Sequence, residues 1–302
     1  MTPSVSVIIN CLNGAAYLRE AIDSVFAQTF DDWEIIFWDN ASSDDSAAIA
    51  RSYGPRVRAF SSESTVPLGQ ARNRAIEHAA GRFIAFLDAD DVWHAAKLAE
   101  QMPLFDDARV GLVYSDARLI DASGSALGLF SEGDPVRLVS GRIRDSLLAF
   151  GGFLCLSTAV IRRSVLDRVG GFDPQFNIVE DTDLWFRIAG VSEARCCPGV
   201  LADYRVHASS TLRTQRERHC REALTLTRRE VARGDMSAWA RRQSAERVLG
   251  FTEDLAGMLI RRGDWREAAS LLAAAAGSHP SRAAALIARK VTRVVTRSRS
   301  SA

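Results

Sequence analysis

One short stretch, residues 82–93, constrains the fold of this chain more than any other. Within it the apolar run at 83–87 predicts a buried strand, because the run is too short for a core helix. Three carboxylates follow at once: Asp88, Asp90 and Asp91. In an open α/β sheet, ligands bind at the carboxyl ends of the strands. We therefore expect these acids at a ligand-binding edge of a sheet.

The same acids suggest a divalent cation. Side chains alternate along an extended chain, so Asp88 and Asp90 are expected to point the same way. Two carboxylates on one face of a strand end suit Mg²⁺ or Mn²⁺ holding a diphosphate. The alternative is that Asp91 caps a helix beginning near Val92. That alternative explains one aspartate rather than three.

Strands and helices alternate before and after this stretch. We predict strands at 5–9, 34–38, 56–60, 83–87, 110–115 and 158–162, helices at 15–28, 41–52, 69–80, 93–105 and 180–188, and a hairpin at 117–128. Such alternation predicts a parallel sheet with right-handed crossovers. The first loop, at 10–14, has one glycine where a dinucleotide fingerprint needs three, so we do not expect NAD binding.

The composition is that of an ordinary globular protein of 302 residues with a net charge of +1. From Thr211 onward there are roughly 19 Arg and Lys against roughly 9 Asp and Glu, so the chain ends in a basic region. The cysteines are odd in number and lack CxxC spacing, which argues against disulfides and zinc. They are Cys11, Cys155, Cys196, Cys197 and Cys220. With neither a signal peptide nor a bilayer-spanning run recognised, we expect a cytoplasmic protein.

Five motifs occur in a fixed order along the chain. They are Ser6 to Ile9 with Asn13 and Gly14; residues 38–46, 67–73 and 88–91; and Gly170 to Asp173 followed by Glu180 and Asp181. This order closely resembles the family-2 inverting glycosyltransferases with a GT-A fold, over residues 4 to about 210. The first four motifs resemble the nucleotide-sugar half of that family, and the last resembles the acceptor half.

The resemblance implies an α/β GT-A fold, with a mainly parallel nucleotide-binding sheet flanked by helices and a C-terminal helical extension. It divides the chain into a glycosyltransferase domain at 1–210 and an Arg-rich helical extension at 211–302. Within the domain, 1–115 would be the nucleotide-sugar half and 116–210 the acceptor half.

The implied reaction moves a sugar from a nucleoside-diphosphate sugar, with a UDP-sugar expected, to a hydroxyl of a glycan or lipid-linked acceptor in surface-polysaccharide synthesis. The residues implied at the nucleotide are Cys11, Asn13, Asp39, Arg72 and Asp88, and those implied at Mn²⁺ or Mg²⁺ are Asp90 and His207. The resemblance implies that Asp88 lies beside either the ribose of the nucleotide or the metal ion. The alternatives are an ion pair on its own helix for Arg72 and an ordinary polar role for His207. Arg205 is a weaker candidate for a phosphate contact.

Inverting transfer also needs a base that takes the proton of the acceptor hydroxyl. The resemblance implies Asp181 for this role, and a carboxylate at a helix N-terminus is kept ionised by the helix dipole. Glu180 and Asp183 are the fallback candidates. The alternative is that Glu180 and Asp181 only favour the start of the helix.

The sequence departs from the family pattern at two places. Leu12 stands where an aromatic residue is common, which removes base stacking from the first loop. Asn40 stands where a second aspartate is common, so the second strand ends with one acid, Asp39.

Two other functions are alternatives to a transferase. A phosphatase with a nucleophilic aspartate would carry its acid pair on the first strand, whereas this pair follows the fourth. The second alternative is a catalytically degenerate, nucleotide-binding scaffold in a glycan-assembly complex. The weakly amphipathic basic segment at 286–297 predicts either peripheral contact with an anionic membrane, at the inner face of the cell membrane, or a packing helix. The segment at 271–277 predicts helical packing and a homo-oligomer contact. Nucleic-acid binding is not expected, because aromatic residues for stacking are few.

Overall fold

The protein is described by a computed structural model that covers residues 2–132, 138–207 and 214–278. The chain divides into two compact units, Met1–Thr211 and Leu212–Ala302. Compactness does not test independent folding, so the division into a domain at 1–210 and an extension at 211–302 stays a prediction.

Within the described residues, nine strands of the first unit form one sheet. They are β1 Val5–Cys11, β2 Trp33–Asp39, β3 Val57–Ser61, β4 Phe83–Phe86, β5 Val92–Trp93, β6 Val110–Ile120, β7 Ala126–Leu129, β8 Val160–Arg162 and β9 Glu193–Arg205. Their order is β3-β2-β1-β4-β8-β6-β9-β5, with β7 paired to β6 off this path. The predicted parallel pairing of β1 to β4 is confirmed. Beyond β4 the sheet is mixed, because β8 runs antiparallel to both β4 and β6, while β6 and β9 are parallel.

Seven helices accompany this sheet in the described part of the first unit. They are α1 Ala15–Phe26, α2 Ser46–Arg51, α3 Leu68–His78, α4 Lys97–Gln101, α5 Arg144–Phe150, α6 Arg163–Val169 and α7 Glu180–Ala189. The main core lies between sheet and helices. Every residue of β1 is buried, and Val7 and Ile9 join Leu18, Ile22 and Val25 of α1 in one apolar cluster. Burial on both faces is what a central parallel strand requires.

The structure differs from the predicted elements in three places. The helix predicted at 93–105 is α4 followed by a 3-10 helix, Met102–Asp106, because Pro103 has no N–H for a continuing α-helix. Strand β6 continues past 115 to Ile120 before the predicted hairpin. Strand β9 was not predicted, since Pro198 and Gly199 interrupt its sequence pattern.

The second unit is helical in its described residues, as predicted. Its helices are α8 Arg216–Ala232, α9 Ala238–Arg262 and α10 Trp265–Ser278. Ser237 caps α9 by accepting the N–H of Ala240 at 3.2 Å, and Gly263 ends that helix in the left-handed conformation. Leu224, Leu259 and Leu272, one from each helix, are buried in a shared cluster. The residues at 271–277 therefore lie in α10, and a homo-oligomer contact there stays a prediction.

The basic segment at 286–297 lies outside the described residues. Among the helices that are described, none combines the length and the apolar character needed to cross a membrane.

Candidate active site

The carboxyl ends of β1, β2 and β4 meet at one edge of the sheet. Cys11 at the end of β1 is paired with Asp39 at the end of β2, and the chain leaves β4 at Leu87, whose N–H donates to the Ile8 carbonyl at 3.0 Å. The chain then reaches Asp88. Parallel pairing thus brings Asp39 and Asp88 to the same edge, where ligands of such sheets bind.

The first loop is fastened to the segment after β2. Asn13 adopts a positive φ of 56°, its N–H donates to Ser42 Oγ at 2.9 Å, and its Oδ1 accepts the N–H of Ser43 at 2.8 Å. The Cys11 thiol points inward, where a Cβ at Gly14 would lie 2.7 Å from it, and burial raises its pKa. A nucleotide role for Asn13 or Cys11 stays a prediction, and the thiol itself is a core group.

Asp39 and Asn40 shape the loops around the edge. Asp39 is buried and its Oδ1 accepts the N–H of Ser42 at 3.1 Å. Asn40 makes a reciprocal pair with the backbone of Val66, donating from Nδ2 at 2.8 Å and accepting at Oδ1 at 3.0 Å. An aspartate could not donate in this pair, which gives the departure from the family pattern a structural reason.

Asn10 is a candidate that the sequence analysis missed. It is buried at the carboxyl end of β1, opposite Trp38 of β2. Among the described residues, both amide atoms of Asn10 and the indole N–H of Trp38 lack a hydrogen-bond partner. A buried polar group without a partner costs about 1–3 kcal/mol, so these atoms suit a ligand or a bound water. A polar residue directly after the apolar run at 7–9 was the available signal.

Arg72 joins the two sides of the site. Its side chain is 4% exposed, and it donates from Nη2 to Asp88 Oδ1 at 2.8 Å and from Nη1 to Glu180 Oε1 at 2.6 Å. The ion pair weighed for Arg72 therefore exists, but it reaches other elements instead of its own helix. One guanidinium links the acids after β4 to the start of α7. A direct nucleotide contact of Arg72 stays a prediction.

The neighbouring Asn73 makes a second link between the same regions. Its Nδ2 donates to the Phe172 carbonyl at 2.8 Å, and its Oδ1 accepts the Phe172 N–H at 2.7 Å. Gly171 packs so tightly on the Asn73 amide that a Cβ there would collide with it. The motif at 67–73 and the motif at 170–173 are thus two parts of one contact.

Asp90 and His207 are brought together. His207 Nε2 lies 2.8 Å from Asp90 Oδ2. Burial and the charge of Asp88 raise the pKa of Asp90, and His207 opposes that rise. The expected alternation of Asp88 and Asp90 along a strand is wrong, because β4 ends at Phe86 and the N–H of Asp91 closes a turn on the Asp88 carbonyl at 3.1 Å.

The helix-capping alternative for Asp91 is also wrong. Val92 and Trp93 form the short strand β5, and the next helix begins at Lys97. Asp91 is buried, accepts the hydroxyl of Ser157 and accepts the N–H of Arg205 at 2.9 Å. Its burial and the neighbouring carboxylates raise its pKa well above the ordinary value. Asp91 therefore fastens the acidic turn to the rest of the fold.

The three acids that begin α7 have different environments. Asp183 is fully buried in an ion pair with Arg187, at 2.7 Å, which leaves it a structural role. Burial raises the pKa of Glu180 to about 7, although Arg72 opposes it. Burial also raises the pKa of Asp181, again against Arg72, while its Oδ1 accepts the N–H of Thr182. Of these three, Asp181 alone has no ion pair within the described part of the chain, and its role as the base stays a prediction.

The residues present fit a divalent cation in part. A carboxylate oxygen and an imidazole nitrogen, from Asp90 and His207, are ligands that Mn²⁺ accepts. No group of three or more His, Cys, Asp and Glu side chains with metal-binding geometry is found in the described ranges. Two protein ligands are typical where a cation is bound mainly through substrate phosphates and water.

The sheet and its acidic edge define an α/β enzyme of the GT-A type. The model of "Glycosyl transferase family 2" matches residues 6–170, which is more than half of the chain. The chain therefore belongs to glycosyltransferase family 2, as the motifs predicted, and it is a glycosyltransferase.

Similar proteins agree with this family. An uncharacterized glycosyltransferase of Rickettsia prowazekii is 32% identical over 70% of this chain and 67% of its own length. The Escherichia coli protein WfgD, a UDP-Glc:alpha-D-GlcNAc-diphosphoundecaprenol beta-1,3-glucosyltransferase, is 30% identical over 68% of this chain and 78% of its own length. In three further Rickettsia relatives the match covers 30% to 35% of their length.

A solved structure shares the fold. The mannosyltransferase PcManGT of Pyrobaculum calidifontis, in complex with GDP-Man and Mn²⁺, aligns with a TM-score of 0.63 and 22% identity. The alignment covers 98% of this chain and 81% of that one. The predicted fold class is thereby confirmed.

Proposed function

We propose that this enzyme transfers a sugar, with inversion, from a UDP-sugar to a hydroxyl of a lipid-linked glycan. The observation that carries the proposal is the pair of ion pairs made by Arg72. It places the acids after β4, where a donor diphosphate would bind, beside the start of α7, where Asp181 lies. A leaving group and a base on facing elements are what a single displacement needs.

The donor nucleotide would lie across the ends of β1, β2 and β4. Asp39 and Asn13 border that edge, and Asn10 adds buried amide atoms that a ribose or base could satisfy. The choice of UDP and of a lipid-linked acceptor is supported by the substrates printed in the name of WfgD. The two sugars of that relative are not assigned to this chain.

Asp90 and His207 would hold Mn²⁺ or Mg²⁺, which when bound neutralises charge that develops on the departing diphosphate. The Mn²⁺ in the PcManGT complex supports the use of a divalent cation, and the choice of Asp90 and His207 rests on their contact in this chain. Asp88 stands beside Asp90 and is restrained by Arg72, so it is available to the ribose or the cation.

Asp181 would act as the general base. Its carboxylate takes the proton of the acceptor hydroxyl while that oxygen bonds to the anomeric carbon, and the bond from that carbon to the diphosphate breaks. Nucleoside diphosphate leaves with the bonding electrons on the face opposite the incoming oxygen, so the configuration inverts. Burial that raises the pKa of Asp181 strengthens it as a proton acceptor.

A lipid-linked acceptor would place the enzyme at the cytoplasmic side of a membrane. Peripheral contact through the basic residues at 286–297, and association into homo-oligomers, remain predictions from the sequence.

Calorimetry tests the donor site. UDP, GDP and TDP are titrated into the protein with Mn²⁺ and again with EDTA, using wild type, Asp90→Ala and, as a matched control, the exposed Asp31→Asn. We expect UDP to bind more tightly with Mn²⁺ than in EDTA, a gain that Asp90→Ala loses and Asp31→Asn keeps. If none of the nucleotides binds under either condition, the donor site is wrong.

Product formation tests the base. With UDP-sugar and a lipid-linked glycan acceptor, Asp181→Asn should lose turnover by several orders of magnitude while its UDP binding stays at the wild-type value. Metal-dependent UDP binding with equal product from Asp181→Asn and wild type would reject Asp181 as the base. UDP binding without transfer to any acceptor would favour the degenerate scaffold.

A further inference from the structure

The side chain of Tyr17, in the first turn of α1, contacts Arg205 at the end of β9 and His207 just beyond it. Its ring is stacked on that of His207, with centroids 5.6 Å apart and planes at 29°. The guanidinium carbon of Arg205 lies 4.7 Å from the centroid of the same ring. Stacking and cation–π contacts of this kind are attractive and favour one relative orientation of the groups that they join.

The same two residues hold the acidic turn. Arg205 donates from Nε to the Asp90 carbonyl at 2.8 Å, and its backbone N–H donates to Asp91. His207 meets the Asp90 carboxylate at 2.8 Å. Arg205 also donates from Nη2 to Glu20 Oε2 at 2.7 Å. Helix α1 therefore contacts this arginine through the ring of Tyr17 and the carboxylate of Glu20.

His207 needs such support, because it lies beyond the last residue of β9, which is Arg205. The N–H of Val206 donates to the Ile120 carbonyl at 2.8 Å and fixes the backbone just before it. The Tyr17 ring is an aromatic contact of the imidazole and bears on the orientation of its plane.

We propose that Tyr17 is a positioning residue, which holds the His207 imidazole at Asp90 in the orientation that a metal ligand requires. Contacts behind the ligands commonly set metal affinity in this way. Glu20 supports the same arrangement through Arg205. The proposal rests on the assignment of Asp90 and His207 as metal ligands under the proposed function.

The arrangement also ties the metal ligands to the first loop. Helix α1 begins at Ala15, and Asn13 and Gly14 immediately before it donate their N–H groups to Ser42 and Ser46. Tyr17 is the third residue of this helix. One turn of helix therefore connects the loop at the nucleotide edge with the residues that hold His207.

The experiment titrates Mn²⁺ at a fixed UDP concentration by calorimetry and reports the Mn²⁺ concentration at half-saturation. It uses wild type, Tyr17→Leu, Tyr17→Phe, Glu20→Gln and Tyr53→Leu. Tyr53 also packs near α1, through Asp23 and Phe26, so Tyr53→Leu removes a comparable ring away from Asp90. Thermal unfolding of each variant is measured alongside.

We expect Tyr17→Leu to raise the half-saturating Mn²⁺ concentration about 10-fold, with UDP binding in EDTA unchanged. Tyr17→Phe keeps the ring and should behave as wild type, as should Tyr53→Leu. Glu20→Gln should raise the half-saturating Mn²⁺ concentration by a smaller factor. Because the Glu20 side chain is exposed, this variant is expected to fold, and it serves as the test if Tyr17→Leu does not.

Two results would overturn the positioning role alone. One is a wild-type metal midpoint in Tyr17→Leu, or in Glu20→Gln where Tyr17→Leu is unfolded. The other is a loss of UDP affinity in Tyr17→Leu that is as large in EDTA as in Mn²⁺. Absence of metal dependence in the wild-type protein, or its persistence in Asp90→Ala, would instead overturn the metal assignment, and the positioning role with it.

Discussion

Replacing Arg72 by methionine should destabilise the protein, because it leaves two acids without their shared cation. The two arms of the ion pair are not equal. The Glu180 side chain is 6% exposed, whereas that of Asp88 is 33% exposed and is partly screened by solvent. Most of the lost free energy of unfolding is therefore expected from Glu180.

The size of the loss follows from the protonation of Glu180. Removing one partner of a buried ion pair costs about 3–5 kcal/mol when the remaining group stays charged. Glu180 can lose its charge by binding a proton, since its pKa is already raised to about 7 and loses the opposing effect of Arg72 in the variant. Each unit by which the variant raises that pKa lowers the free energy of unfolding by about 1.4 kcal/mol. This holds at a pH where Glu180 is ionised both in the unfolded chain and in the folded wild-type protein. At pH 8 this pKa can rise by only about one unit before Glu180 binds a proton, so its protonation adds at most about 1.4 kcal/mol to the roughly 1 kcal/mol lost with the other contacts of Arg72, and we expect a loss of about 2 kcal/mol.

The sign of the pH dependence is fixed. The folded pKa of Glu180 lies above its unfolded value, so the folded protein binds more protons between about 4.5 and 7, and the free energy of unfolding falls as pH rises through that window. In Arg72→Met the window extends to higher pH. The difference between variant and wild type should thus be about 1 kcal/mol at pH 6 and grow towards pH 8.

The assay is urea unfolding followed by tryptophan fluorescence at pH 6, 7 and 8, with Trp185 buried in α7 as a local reporter. Arg58→Met is the matched control, because Arg58 also pairs with a glutamate, Glu34, but its own side chain is 42% exposed. The variant should lose less than about 1 kcal/mol of the free energy of unfolding. The double variant with Glu180→Gln should recover much of the stability. A loss at pH 8 that is no larger than at pH 6 would refute the reasoning.

Three further predictions concern buried contacts, each measured by urea unfolding against wild type. Burial lowers the pKa of Lys97 from 10.5 to about 7, so the unfolded chain binds more protons between those values; stability should rise from pH 7 to 9, and Lys97→Met should lack that rise. Gly171→Ala should cost about 1–3 kcal/mol because its Cβ collides with the Asn73 amide, and a change below 0.5 kcal/mol would contradict that packing. Asn40→Asp should cost about 1–3 kcal/mol, since a carboxylate faces the Val66 carbonyl, whereas an unchanged midpoint would show that the reciprocal pair is unimportant.

The parts of the fold that the sequence predicted are those with strong local patterns. Mainly apolar runs identified β1, β2 and β4, and the rule that ligands bind at strand ends placed Asp88 at an edge of the sheet, whereas Asp39 was implied by the family resemblance. Strand β9 was missed because its burial alternates irregularly around Pro198, and its pairing with β6 is visible only in three dimensions.

The acidic turn shows why local rules fail at a site. Asp91 follows helix-capping statistics in sequence, yet its partners are Ser157 and the backbone of Arg205, 66 and 114 residues away. For Arg72 the sequence suggested an ion pair on its own helix. Its partner Glu180 lies 108 residues further along the chain, beyond the reach of a local rule. Nothing in a single sequence marks such distant pairs, whereas the proximity of His207 and Asp90 was implied by a family resemblance.

The two adjacent residues of α3 that reach across the site have a consequence for recombination between relatives. Asn73 is bound to backbone atoms of Phe172, so its two hydrogen bonds do not depend on the side chain at that position. Arg72 is bound to a side chain, so the exchanged segment must bring an acid at position 180. A chimera that takes residues 116–210 from another family member therefore needs that acid, together with a glycine at position 171 where a Cβ would collide with Asn73. These two residues of the junction are the ones to keep when the segment is exchanged to sample new acceptor specificities.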